Sequence, residues 1–181
     1  MSCCRLETER LLLRPLEASD ISRLVPLIGD YEVAKNLSRV PYPYSEDQAR
    51  EFLEKAALER ARGESYAFAA TLKTDGVLIG GCGVHLKDDG MFEIGYWLGK
   101  PYWGRGYASE AARRLAGFAF AELKAPVLKA RYFHDNPASG HVLKKLGAVP
   151  AGAEHVDCLA RGHAVYSHLV VLDRENFGRK R

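Results

Sequence analysis

Gly104 and Gly106 stand where a helix has to start, in the run Trp103-Gly104-Arg105-Gly106-Tyr107-Ala108. Glycine is a poor helix former, so its use there points to a loop whose main chain must approach something closely. The first amides of a helix lack partners within it and carry the positive end of its dipole. A phosphate is the natural occupant of such a place, and glycine lets the backbone reach it. The run therefore reads as a diphosphate cradle, with Arg105 adding charge. It is not a Walker loop, which would end Gly-Lys-Ser/Thr. Nor is it a dinucleotide fingerprint, because the third glycine is missing and a β-meander precedes it. The plain alternative is a glycine turn that only reverses the chain.

Other residues with suitable chemistry are scattered. His85, His134 and His155 have intrinsic pKa values suited to proton transfer, but each reads as a surface histidine. Cys158 would act as a nucleophile only with an activating partner, and its neighbours offer none. A lone cysteine of this kind reads as packing.

The elements that must position these groups follow from periodicity. A strand over Leu11 to Arg14 is ended by Pro15, and Ser19 or Asp20 caps a helix through about Ile28 with Ile21, Leu24, Val25 and Ile28 on one face. After the proline-broken loop VPYPYS, Ser45 and Gln48 form a capping box that opens a helix to about Arg62, closed by Gly63. Phe52, Leu53, Ala56 and Ala57 form its apolar stripe. Three strands follow, at 66–72, 77–86 and 91–98, with Asp75-Gly76 and Asp89-Gly90 as hairpin turns. A helix from about 109, a strand at 127–133, a helix at 138–146 and two strands near 149–158 and 164–172 complete the chain. A meander followed by a β-α-β-α unit implies an α/β (α+β) fold, a mixed sheet with helices on both faces.

The 181 residues suit a single domain, 1–181, with one good core. A hydrophobic share of 47% beside 27% charged residues is that of an ordinary soluble protein. No apolar run is long enough to span a bilayer and no secretory leader opens the chain, so the expected location is cytoplasmic with no membrane partner. Cys3 and Cys4 are adjacent while Cys82 and Cys158 stand alone, a spacing that fits neither a disulfide framework nor a zinc site. Reduced thiols and no metal are expected. A net charge of +3 is far from a nucleic-acid binder's signature. The basic tail FGRKR reads as a solvated end.

Several segments together resemble the GNAT superfamily of acetyl-CoA-dependent N-acyltransferases: ETERLLLRPL at the start, EIGYWL at 93–98, YWGRGYASEA at 102–111 and DNPASGHVLKKLGA at 135–148. The family's loop pattern, Gln/Arg-x-x-Gly-x-Gly/Ala, is met at Gly106 and Ala108, with Trp103 in place of the first residue. The closer resemblance is to the RimJ/RimL-like branch, the ribosomal-protein N-terminal acetyltransferases and their relatives. It implies a split sheet of about seven strands, splayed near the fourth and fifth and flanked by about four helices. It also implies acetyl-CoA as co-substrate, its diphosphate on residues 103–108 and its pantetheine arm beside Tyr96-Trp97-Leu98. Amides near Trp97 and Leu98 would hold the thioester oxygen as it gains charge.

The resemblance further implies direct transfer to an amine, without an acyl-enzyme. Many members use a tyrosine seven residues beyond an asparagine; counting from Asn136 lands on Leu143. The ribosomal branch instead places a serine three residues after it, which is Ser139, the expected donor to the leaving sulfur. A serine so placed ordinarily bonds backbone. Asn136 either binds the pantetheine amides or holds the turn around Pro137. The branch's glutamate, six residues beyond a glycine matching Gly152, is here Cys158, with Asp157 beside it on the opposite face. Glu93 matches the family strand and would act as base through water, or only pair with a neighbouring cation. Arg39, Tyr42 and Tyr44 border the acceptor groove by analogy. The acceptor is a protein N-terminus, an amino acid or a small amine; a homodimer is open. A non-catalytic acyl-CoA-binding module with the same fold is the competing reading.

Overall fold

The computed structural model describes residues 5–178, so Cys3, Cys4 and the last three residues of the basic tail lie outside the described residues. Two short strands, β1 (Leu6–Glu7) and β2 (Leu11–Arg14), pair antiparallel across a turn in which the Thr8 hydroxyl bonds Leu11 at both its amide and its carbonyl. Helices α1 (Ile21–Ile28), α2 (Tyr31–Ala34) and α3 (Glu46–Arg62) follow. The meander is β3 (Ser65–Leu72), β4 (Leu78–Leu86) and β5 (Phe92–Leu98). Then come α4 (Tyr107–Ala121), β6 (Val127–Phe133), α5 (Pro137–Leu146), β7 (Val149–Cys158) and β8 (His163–Asp173).

All eight strands form one sheet in the order β1-β2-β3-β4-β5-β6-β8-β7, antiparallel except for β5 beside β6. The elements match the expected order. Additions are β1 and α2, of two and four residues, too short to carry a readable period. Each face of the sheet carries its own core. On one face, Leu115, Phe118 and Ala119 of α4 and Leu143 and Leu146 of α5 cover Phe68, Val84 and Leu128. On the other, Ile21, Leu24 and Ile28 of α1 and Ala49 of α3 cover Ala69 and Leu78.

The turn chemistry behaves as expected. Asp75 and Asp89 accept hydrogen bonds from the amides of Val77 and Met91, each at 3.0 Å, and Gly76 and Gly90 take φ of +74° and +75°. The Ser45–Gln48 capping box and left-handed Gly63 bound α3. Two details differ. The α3 stripe runs along Ala49, Leu53 and Ala56, leaving Phe52 and Ala57 exposed. Asp20 does not cap α1 with its side chain; it is buried, paired with Arg14 at 2.7 Å and accepting the Glu17 amide at 2.8 Å. Burial pushes its carboxyl up, and the Arg14 guanidinium outweighs that and holds it below the usual range.

The sheet is split in the middle. β5 and β6 share only two registered pairs, Phe92 with Leu128 and Glu93 with Lys129. Beyond Glu93, β5 stays paired to β4 as far as Leu98, while β6 stays paired to β8 as far as Phe133. Gly80 on β4 explains why β5 can lean that way. A Cβ there would meet the Trp97 carbonyl oxygen at 2.2 Å and the Leu98 Cα at 2.8 Å. Only glycine admits so close a backbone approach.

Candidate active site

A cavity of about 750 Å³ occupies the split between β5 and β6 and continues to the start of α4. Its walls include Glu93, Tyr96, Trp97, Leu98, Trp103, Gly104, Gly106, Tyr107, Ala108, Asn136 and Ser139. The residues expected to hold the co-substrate, together with Glu93 and Ser139, are therefore brought to one place, except Arg105. Its carbonyl is taken by Arg10, and it does not line the cavity.

The glycine loop is built as a helix start without a side-chain cap. Gly104 and Gly106 adopt φ of +74° and +81°, and Gly106 is the N-cap of α4. A Cβ on Gly104 would meet no atom within 4 Å, so its backbone faces open space. Trp103 turns back and donates its indole N–H to the Leu98 carbonyl at 2.7 Å, tying the loop to the end of β5.

A clamp stands behind this loop. Glu110, in the first turn of α4, accepts hydrogen bonds from the Thr8 hydroxyl, the Arg10 amide at 2.7 Å and the Arg10 Nε at 2.7 Å. Arg10 also donates Nη1 to the Arg105 carbonyl at 3.0 Å and lies 4.5 Å over the Tyr107 ring. Burial pushes the Glu110 carboxyl up, but the bonds from Thr8 and Arg10 hold it below the usual range. Thr8 and Arg10 stand about a hundred positions from Glu110, and no local pattern announces such a pairing.

At the other wall, Asn136 caps α5, its side-chain oxygen accepting the Ser139 amide at 3.3 Å. Of the two expectations for Asn136, the turn-holding one is met by its oxygen. The Tyr96 hydroxyl lies 3.0 Å from both the carbonyl and the Oγ of Ser139. Burial raises the Tyr96 phenol to about 12, and its bond with Ser139 lowers it only in part. It is therefore a neutral donor at physiological pH. The sequence leads one to expect only the main chain of Tyr96 at the site, and the structure adds its hydroxyl.

Glu93 has both oxygens engaged, with Lys87 at 3.3 Å and Arg131 at 3.2 Å. Cys158 is buried against Phe133 and Val165, its thiol pointing to the carbonyls of Lys35 and Leu37 at 3.6 and 3.7 Å. It fills space, as the packing expectation holds. Asp157 is exposed on the other face of β7. Tyr42 is exposed and packs edge-on against Tyr31, while Tyr44 is partly buried in the α1–α3 core; neither lines the cavity.

Of the three histidines, His134 and His155 lie against Tyr166. His85 departs from the surface expectation. It is half-buried, its Nδ1 2.7 Å from the hydroxyl of buried Ser65. It lines a second cavity of about 710 Å³ that shares Glu93 and Arg131 with the first. A strand-end histidine gives no sequence sign of whether a neighbour covers it.

No helix among the described residues is long and apolar enough to cross a membrane, and among them no group of three or more His, Cys, Asp or Glu is placed to hold a metal ion.

Residues 10–149 match the acetyltransferase (GNAT) domain model. The chain is 34% identical to the uncharacterized N-acetyltransferase p20 of Bacillus licheniformis, over 96% of this chain and 98% of that one. Among solved structures, Mycobacterium smegmatis RimJ in complex with CoA-disulfide superposes with a TM-score of 0.83 at 17% identity, covering 98% of this chain and 90% of that chain. The spermidine N-acetyltransferase from Vibrio cholerae, in complex with CoA and spermine, gives 0.78 at 19%, covering 92% and 96%. At such identities the two structures speak for the fold alone, and the match across most of the chain carries the assignment: the protein belongs to the GNAT family and is an N-acetyltransferase.

Proposed function

We propose that the chain acts as one acyl-CoA N-acyltransferase domain that moves the acetyl group of acetyl-CoA directly to a primary amine: a protein N-terminus, an amino acid or a small amine. The observation that carries this reading is the continuous cavity joining the α4 start to the Tyr96–Ser139 pair through the split sheet. The residues present fit the co-substrate. Gly104 and Gly106 leave the α4 amides approachable, as a diphosphate requires. The edge of β5 beyond Glu93 is unpaired toward β6 and offers main-chain partners to an extended arm, in the manner of an added strand. The RimJ structure in complex with CoA-disulfide and the spermidine N-acetyltransferase structure in complex with CoA and spermine agree with this fit.

Acetyl-CoA supplies an activated thioester carbonyl. Tyr96, Trp97 and Leu98 position it from β5, and amides at that strand end stabilise the oxygen as charge develops. Ser139 serves the departing thiolate. The single phenol proton is given to the Ser139 carbonyl; when it swings to Oγ, equally 3.0 Å away, the serine hydroxyl proton is free to turn toward sulfur. The phenol then stands behind it as a second donor, in place of the tyrosine that Leu143 replaces. Glu93, held by two cations, acts on solvent at the acceptor side rather than on the sulfur.

The test is calorimetric titration with acetyl-CoA and with CoA, followed by thiol release over N-terminal peptides, amino acids and polyamines. Binding with release in one class supports the transferase and names its acceptor. Binding without release from any of them supports the non-catalytic module, to which the buried Leu143 and Cys158 would point. Absence of binding overturns both.

A further inference from the structure

The face of the sheet under α1 and α3 carries a bare patch beside the split. Cross-strand partners lie on the same face, so the pairs Gly81–Trp97, Gly83–Gly95 and His85–Glu93 form a ladder of three rungs there. Trp97 covers Gly81, its indole nitrogen 2.8 Å from where a Cβ would stand. The His85 ring lies over Gly83, with Nε2 3.1 Å from the corresponding point. At Gly95 such a Cβ would meet nothing within 4 Å, and Gly95 lines the cavity in the split. The open spot is thus flanked by Trp97 and Glu93 along its own strand, and His85 Nε2 stands over Gly83, its cross-strand partner.

We propose that His85 is the proton acceptor for the incoming amine, and that the Gly83–Gly95 patch is where that amine waits beside the thioester. The proposal rests on the transferase reading above. The Ser65 hydroxyl fixes the ring; the tautomer that donates Nδ1–H to Ser65 leaves the Nε2 lone pair facing the patch. Burial holds the imidazole below its ordinary pKa, Lys87 and Arg39 lower it further, and Glu59 and Glu93 offset part of that. The ring is therefore neutral near pH 7 and able to accept. One ammonium proton passes to Nε2, directly or through a water, and then to solvent. The neutral nitrogen forms the C–N bond as the C–S bond breaks, and the second nitrogen-bound proton balances the thiolate delivered as CoA thiol.

Two amines separate this role from a structural one. At about pH 7 glycinamide is largely protonated and needs a base, whereas hydroxylamine is largely neutral and needs little help. His85→Gln is expected to lower kcat/KM for glycinamide by about 10²-fold, to change it little for hydroxylamine, and to leave acetyl-CoA affinity by calorimetry unchanged. The acid limb of the glycinamide pH profile should lose the histidine ionisation. Ser65→Ala, which keeps the ring, should shift that limb and lower the rate less. Equal losses for both amines, or superimposable pH profiles, overturn the proposal. If neither amine is turned over, the His85 ring signal is followed by NMR in the CoA complex. A shift on adding glycinamide supports the role, and none overturns it. Loss of acetyl-CoA binding in the unaltered protein would instead sink the transferase reading itself.

Discussion

Replacing Gly106 by alanine tests whether the loop before α4 is a cradle or only a turn. Gly106 sits at φ +81°, where a residue with a Cβ is disfavoured by about 1–2 kcal/mol. The new methyl would also stand 3.3 Å from Nη2 of Arg10, the guanidinium that clamps the loop to Glu110. The strain has two outlets. If the loop keeps its shape, the cost appears as stability, about 2–8 °C in Tm for a chain of this size. If it relaxes toward the cavity, the same free energy is withdrawn from diphosphate binding, and KM for acetyl-CoA rises about 5–30-fold. Because Arg10 resists the first outlet, the second is expected to dominate, with kcat at saturation unchanged. Gly76→Ala is the control, since Gly76 has φ +74°, no atom within 4 Å of its Cβ position, and a hairpin location outside both cavities. It should lose stability alone. Thermal unfolding and thiol-release kinetics measure both variants. Equal losses of Tm with no change in KM for Gly106→Ala would refute the cradle.

Four other substitutions probe the remaining parts. Ser139→Ala and Tyr96→Phe should each lower kcat by about 10–10²-fold with little change in KM for acetyl-CoA, and the double variant should be scarcely worse than the more damaging single one, because the hydroxyls act as a unit. Additive losses in steady-state kinetics would separate them. Glu110→Gln weakens three hydrogen bonds at the back of the loop; it should cost about 1–2 kcal/mol in urea unfolding and raise KM several-fold while sparing kcat. Gly80→Ala drives a Cβ into the Trp97 carbonyl and forces β5 toward β6, at roughly 1–3 kcal/mol. A variant that melts like the parent and still binds acetyl-CoA would show that this contact does not set the split.

What was legible in the sequence was local. The Asx-supported glycine turns, the Ser45–Gln48 box and the 127–133 strand have signals confined to a few residues. The glycine pair before α4 identified the loop for the same reason. Contacts between distant segments were not legible. Tyr96 and Ser139 were each noticed, but nothing along the chain says that the phenol of one reaches the hydroxyl of the other across 43 positions. Glu93 and Cys158 left their partners open, and only folding chose Lys87 and Arg131 for the one and a buried pocket for the other. His85 was misjudged because its burial depends on a serine two strands' length away in the chain. The likeness of YWGRGYASEA to a family loop was the more reliable guide because it condenses that distant information.

The glycines of β4 and β5 show why a rule read in isolation misleads. Each glycine inside a strand weakens it by roughly 0.5–1 kcal/mol relative to alanine, and β4 carries Gly80, Gly81 and Gly83 in its nine residues. On stability alone this is a poor strand. Yet Gly80 admits the close approach of the Trp97 and Leu98 backbone to β4, along the stretch where β5 no longer pairs with β6. The split exposes main-chain donors and acceptors in the middle of a sheet, a condition natural folds tolerate only where solvent or a ligand can take them. Gly81 and Gly83 then clear the opposite face, so that the Trp97 and His85 rings can lie over them, beside an open spot at Gly95. One compositional feature thus opens the gap on one side and floors the approach to it on the other. On the proposed reading, the stability given up in β4 is the physical condition for two substrates to meet through the sheet.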